Sequence, residues 1–152
     1  MSSPLKFILP ILFLTAFFTL VFPSRIKAKA VVVEGHKLSE QAAAKYKAFK
    51  QEVIDACKLE GLQCNIEITS TLTGKHKSRC HKRGNKKSGT CADFRITVNG
   101  EKLSKPPKGP TQKKALNIVI DTAKKSKNIV SCLNEYKVRT KYSTGPHMHC
   151  NF

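Results

Sequence analysis

The chain closes on "STGPHMHCNF", which sets His147 and His149 two residues apart. In an extended strand alternate residues share a face, so the two imidazoles would point together while Met148 and Cys150 point away. Groups of matching chemistry stand upstream in "SRCHKRGNKKSGTCADF", where His81 and Asp93 flank a basic stretch. Neutral imidazole nitrogens and a carboxylate oxygen suit Zn2+, and two His with one Asp leave the fourth position of a tetrahedral ion open. An ion with an open position polarises a carbonyl and activates water at neutral pH, which is hydrolytic chemistry. Blander assignments compete: surface histidines, a solvated cationic loop, and an Asp that caps or pairs with a lysine. A structural Cys/His zinc site built from Cys80, His81 and Cys91 is a further alternative, which an oxidising compartment disfavours.

These groups need elements to position them. "SEQAAAKYKAFKQEVIDACKLEGL" reads as a helix, with Ser39 as N-cap and Ala43, Tyr46, Phe49, Val53, Ile54 and Cys57 at helical spacing. Gly61 terminates it. "CNIEITS" alternates as a half-buried strand. Residues 73–90 are rich in Lys, Arg and His, carry three glycines and no aliphatic side chain, and read as a long loop. "CADFRITV" returns to strand, and Asn99-Gly100 signals a hairpin turn. After "SKPPKGP", "TQKKALNIVIDTAKK" gives a second helix with Thr111 as N-cap. "NIVSCLNEYKV" and "PHMHCNF" are the closing strands. The order predicts an α+β domain: a small, mostly antiparallel sheet with two main helices, supported by disulfides.

The frame around this domain is also legible. Residues 7–22, "FILPILFLTAFFTLVF", are apolar and uncharged, preceded by Lys6 and followed by "PSRIKAKA". Residues 1–30 are therefore expected to be a signal peptide, with an uncleaved N-terminal anchor as the alternative. Residues 31–152 form a single domain, secreted or otherwise extracytoplasmic, and a monomer is expected. Its six cysteines (57, 64, 80, 91, 132 and 150) imply disulfides. Fifteen connectivities are possible. Proximity favours Cys57–Cys64, Cys80–Cys91 and Cys132–Cys150. Beyond residue 30 there are 24 Lys and Arg against 10 Asp and Glu, a net charge near +14. Such a field draws polyanions. No tryptophan is present and no aromatic residues interleave with the basic runs, so stacking on single-stranded bases finds little support, and no specific nucleic-acid partner is expected. Membrane contact is expected only if the N-terminal segment stays attached.

"CHKRGNKKSGTCADF" followed far downstream by "GPHMHCNF" resembles the zinc D-alanyl-D-alanine carboxypeptidase and LD-endopeptidase family of bacterial cell-wall enzymes, whose fold the Hedgehog signalling domain shares. The resemblance spans roughly residues 62–152, with "GTCAD" (Gly89 to Asp93) the best match. It implies Zn2+ held by His81, Asp93 and His149, with His147 beside the substrate oxyanion. The interval between His81 and Asp93 is longer than in that family, with "GNKKS" as the extra segment, and His76 is the fallback ligand. Where the family has an acid shortly before the last His, this chain has Ser143, Thr144, Gly145 and Pro146. Glu135 is then the expected general base. An Arg of the family is missing from "ITSTLTG", leaving Lys75 or Arg79 as substitutes.

What the resemblance implies is hydrolysis of stem-peptide bonds in peptidoglycan, with the cationic surface held on an anionic wall polymer. Two alternatives accompany it. One is a zinc-binding but catalytically weak or inactive wall-binding module. The other is a small cationic ribonuclease using two histidines and a lysine without metal.

Overall fold

A computed structural model describes residues 29–71, 79–82, 87–137 and 145–152. Residues 1–28 of the expected 1–30 leader, His76 and Lys75 lie outside the described residues. The described residues form two helices and seven strands: β1 (Ala30–Val33), β2 (His36–Ser39), α1 (Glu40–Leu59), β3 (Cys64–Ser70), β4 (Cys91–Val98), β5 (Glu101–Lys102), α2 (Gly109–Lys125), β6 (Ser131–Asn134) and β7 (Met148–Asn151). The α+β expectation holds, and every strand pairing among them is antiparallel. The larger sheet runs β3-β4-β7-β6, with β5 paired to β4. No helix among the described residues is long and apolar enough to cross a membrane.

α1 starts where its sequence says it should. The Ser39 hydroxyl accepts the Ala42 N–H at 3.2 Å, and Ala42, Ala43, Tyr46, Phe49, Val53 and Cys57 are buried along one stripe, with Ile54 half-buried. Gly61, at φ 71°, stops the helix in the left-handed region, which glycine adopts without a Cβ clash. α2 begins earlier than predicted. Lys108, not Thr111, is its N-cap, because Pro110 fits the first turn, where no N–H is required. No side chain of the N-cap bonds a first-turn N–H, but Gln112 Oε1 reaches back from inside the helix and accepts the Lys108 N–H at 2.9 Å.

Both helices pack on one face of the sheet. Ile66 and Ile68 of β3, Phe94 and Ile96 of β4, and Met148 and Cys150 of β7 point into this core. The alternate residues of β4 and β7 must then occupy the opposite face. All six cysteines are paired, in the connectivity that proximity favoured: Cys57–Cys64, Cys80–Cys91 and Cys132–Cys150. Such bridges fit an exported, oxidising setting and supplement a modest core.

The β1–β2 hairpin was not anticipated. Its turn is Glu34-Gly35, both at positive φ (51° and 78°). Glu34 is held there by its carboxylate, which accepts from Tyr46 Oη at 2.9 Å, Lys50 Nζ at 2.6 Å and the Ile68 N–H of β3 at 2.8 Å. The last bond satisfies a donor on the outer edge of the sheet. Partial burial works against the ionised form, but these donors outweigh it and lower the Glu34 pKa from its ordinary 4.5. A depressed carboxylate stabilises the fold above its ordinary pKa and loses that contribution as pH falls through the lowered one. Glu34→Gln should therefore cost about 1–2 kcal/mol near pH 7, allowing for partial exposure. In urea unfolding the gap from wild type should close as pH falls below about 4.

Candidate metal centre

Strand register places the first pair. Asp93 on β4 lies directly opposite His149 on β7, on the sheet face turned away from the helices. Asp93 Oδ1 and His149 Nδ1 stand 2.7 Å apart. A bulge in β3 between Ile68 and Ser70 sets Ser70 opposite Asp93, and the Thr69 hydroxyl donates to the Asp93 carbonyl at 3.2 Å. Such bulges re-aim chains beside functional sites. The chain leaves the bulge at Thr71, whose carbonyl accepts a hydrogen bond from His81 Nδ1.

His81 arrives from the loop and is fully buried. Two restraints hold it there. The Cys80–Cys91 disulfide ties the preceding residue to the first residue of β4, and the Gly89 N–H donates to the Cys80 carbonyl at 3.0 Å. Gly89 itself has φ 72°, and a Cβ there would stand 2.9 Å from Ser39 N, so this position requires glycine. The result brings His81 Nε2 to 3.2 Å from His149 Nδ1 and 3.5 Å from Asp93 Oδ1.

Two ring nitrogens and one carboxylate oxygen thus face a common point. Burial opposes the ionised form of Asp93, but hydrogen bonds from His149 and His81 and their charge hold its carboxyl well below the usual carboxylate range. Burial likewise opposes the protonated form of His81. The hydrogen bonds to Asp93 and to the Thr71 carbonyl, with the Asp93 charge, prevail and raise its pKa. Both shifts have one origin, the pairing of the Asp93 carboxylate with the two imidazoles.

The donor set fits Zn2+. Atoms bound at about 2.0–2.1 Å around a tetrahedral ion stand roughly 3.3 Å apart, close to the separations of His81 from its two neighbours. The shorter Asp93–His149 pair, at 2.7 Å, must open by roughly 0.6 Å. With Nδ1 engaged by the Thr71 carbonyl, His81 directs Nε2 at the cluster, the outer-shell support that metal-binding histidines take from backbone carbonyls.

Glu135 and His147 complete the group. The Glu135 N–H bonds the His147 carbonyl at 3.0 Å, extending the β6–β7 ladder one step past Leu133↔His149 on the same face. Both side chains are buried. His147 Nε2 is 3.3 Å from Glu135 Oε2 and 3.9 Å from Asp93 Oδ1. Glu135 Oε2 is buried without a hydrogen bond of acceptable geometry. All five predicted site residues, His81, Asp93, Glu135, His147 and His149, therefore gather at one place. Arg79 is exposed. A structural zinc site on Cys80, His81 and Cys91 meets an obstacle, since both thiols are consumed in the disulfide. The Thr71 carbonyl and the close approach of Gly89 to Ser39 were missed, because neither leaves a side-chain signature.

Comparisons with family models, curated proteins and solved structures gave no match.

Elemental analysis of the purified domain should find one zinc per chain, lost in His149→Ala. Zinc must displace any imidazole proton. Because the His81 pKa is raised from 6.5, this competition should begin above that pH in the metal-free protein. Titration with a metal indicator should show apparent affinity falling as pH drops, by up to about tenfold per unit for each protonated imidazole.

Proposed function

We propose that this domain is an exported zinc-dependent peptidase acting on the stem peptides of peptidoglycan. The observation that carries the reading is the convergence of His81 Nε2, Asp93 Oδ1 and His149 Nδ1, with Glu135 and His147 alongside. The finer fold assignment, to the D-alanyl-D-alanine carboxypeptidase and Hedgehog-like group, is part of the proposal. It is supported by the order helix, strand, ligand loop, strand, helix, strands, and by the chain order His, Asp, His.

Zinc held by His81, Asp93 and His149 would supply Lewis-acid polarisation of the scissile carbonyl and of water. The remaining work belongs to side chains. Glu135 takes a proton from the attacking water and returns it to the leaving amine nitrogen as the C–N bond breaks. His147 stands between this base and the ligand carboxylate, where its Nε2–H stabilises the tetrahedral oxyanion. The net charge near +14 beyond residue 30 concentrates the domain on anionic wall polymer. That attachment weakens once salt shortens the Debye length.

Glu135→Gln separates catalysis from binding. In assays of stem-peptide hydrolysis it should lower kcat by about 100-fold or more while the zinc content stays unchanged. A chelator should abolish wild-type turnover, and added zinc should restore it. A wild type that holds zinc but cleaves no stem peptide would instead be a wall-binding module. RNA hydrolysis surviving the chelator would overturn the metallopeptidase reading in favour of a ribonuclease.

A further inference from the structure

Four potential ligands overlap the site in a second way. One ligand atom each from Cys80, His81, Cys91 and His149 lie within 4.8 Å of one another, and Cys80, His81 and Cys91 are buried. Ligand atoms around a tetrahedral zinc with two sulfurs and two nitrogens stand roughly 3.3–3.8 Å apart. Small side-chain shifts would therefore close such a sphere once the sulfurs part. Cys91 precedes Asp93 by two on β4, so both side chains leave the same face of the strand. Cys80 adjoins His81 in the loop.

We propose that the chain holds its metal in two alternative ways, exchanged by the Cys80–Cys91 disulfide. With the bridge intact the ligands are His81, Asp93 and His149, and one position stays open. With the bridge reduced they are Cys80, Cys91, His81 and His149, and none does. The inference rests on the metal-site reading of the two shared imidazoles.

Histidine 149 has the atoms for both roles. Its Nδ1 faces Asp93 at 2.7 Å, while Nε2 lies 4.0 Å from Cys80 Sγ. In the reduced state Nε2 becomes the ligand. Asp93 then passes from ligand to outer partner, accepting the Nδ1–H as carboxylates do behind metal-bound histidines. His81 keeps its bond to the Thr71 carbonyl and offers Nε2 in both states.

The exchange balances. A dithiol reductant transfers two electrons and two protons to the S–S bond and becomes a disulfide. Cys80 and Cys91 become thiols, and metal binding releases both protons to solvent. Two thiolates neutralise the divalent charge in a buried place. The four-ligand form has no position for water or a carbonyl, so it is inert. Metal acquired under reducing conditions would be held without hydrolytic activity until oxidation forms the bridge.

Cobalt(II) substitution tests this, because thiolate ligation gives a sulfur-to-cobalt charge-transfer band that nitrogen and oxygen ligands lack. The oxidised domain should bind cobalt without the band and lose it in Asp93→Ala. After reduction with dithiothreitol and its removal by anaerobic gel filtration, with folding checked by circular dichroism, the band should appear, persist in Asp93→Ala, and be absent when Cys80→Ala and Cys91→Ala are combined, a variant that keeps the other four cysteines. Cys91→Ala, prepared without reductant, keeps the other two bridges and one Cys80 thiol, and should show a weaker band. Cobalt bound to Cys91→Ala without the band overturns the proposal, even if full reduction unfolds the wild type. Cobalt bound to reduced, folded wild type without the band overturns it too. Binding confined to the oxidised state sinks this inference and leaves the peptidase reading standing. A sulfur band on reduction with no oxidised-state binding does the reverse.

Discussion

Three electron-pair donors meet within 3.5 Å of one another on the concealed face of a small sheet, and a proton or a cation between them is what makes that proximity favourable. In a poorly solvated place like charges and opposed lone pairs are expensive, whereas a proton or a divalent ion turns the same arrangement into an attraction. The upward shift of His81 and downward shift of Asp93 are the metal-free version of that bargain. Much of the surrounding structure serves to keep the three atoms from moving apart.

The sheet divides the labour. One face takes the helices and builds the core, and its residues are ordinary aliphatics and aromatics. The other face carries Asp93, His149 and, one ladder step on, Glu135 opposite His147. Period-two alternation makes both faces from the same strands, so packing Phe94 and Met148 also aims their neighbours Asp93 and His149. Two of the disulfides reinforce this. Cys80–Cys91 fixes the loop next to His81, and Cys132–Cys150 joins β6 to β7 next to His149.

Much of the site was readable because its chemistry is written in side chains with short-range rules. The His147/His149 pair needed only strand alternation, and Asp93 stood at the head of an obvious strand. α1 was readable from Ser39 and its buried stripe. Glu135 was harder: nothing local marks it, and only the β6–β7 register explains why it faces His147. The β1–β2 hairpin escaped because Glu34 occupies a positive-φ position that its type does not advertise, held by contacts to Tyr46, Lys50 and Ile68 distant in sequence. Thr111 misled because Pro110 lets the helix start a turn earlier, where Gln112 ties back to the Lys108 N–H. The bulge that sets Thr71 under His81 depends on a pairing across strands, which no single segment encodes.

Ser39 joins three structures at once. It ends β2, caps α1, and gives its N–H to the Gly89 carbonyl at 3.0 Å. The first helix, the leading hairpin and the histidine-bearing loop thereby share one mechanical joint. An insertion or deletion on either side of it would displace the loop along with the hairpin. Segments that leave that joint untouched can change length without moving the loop.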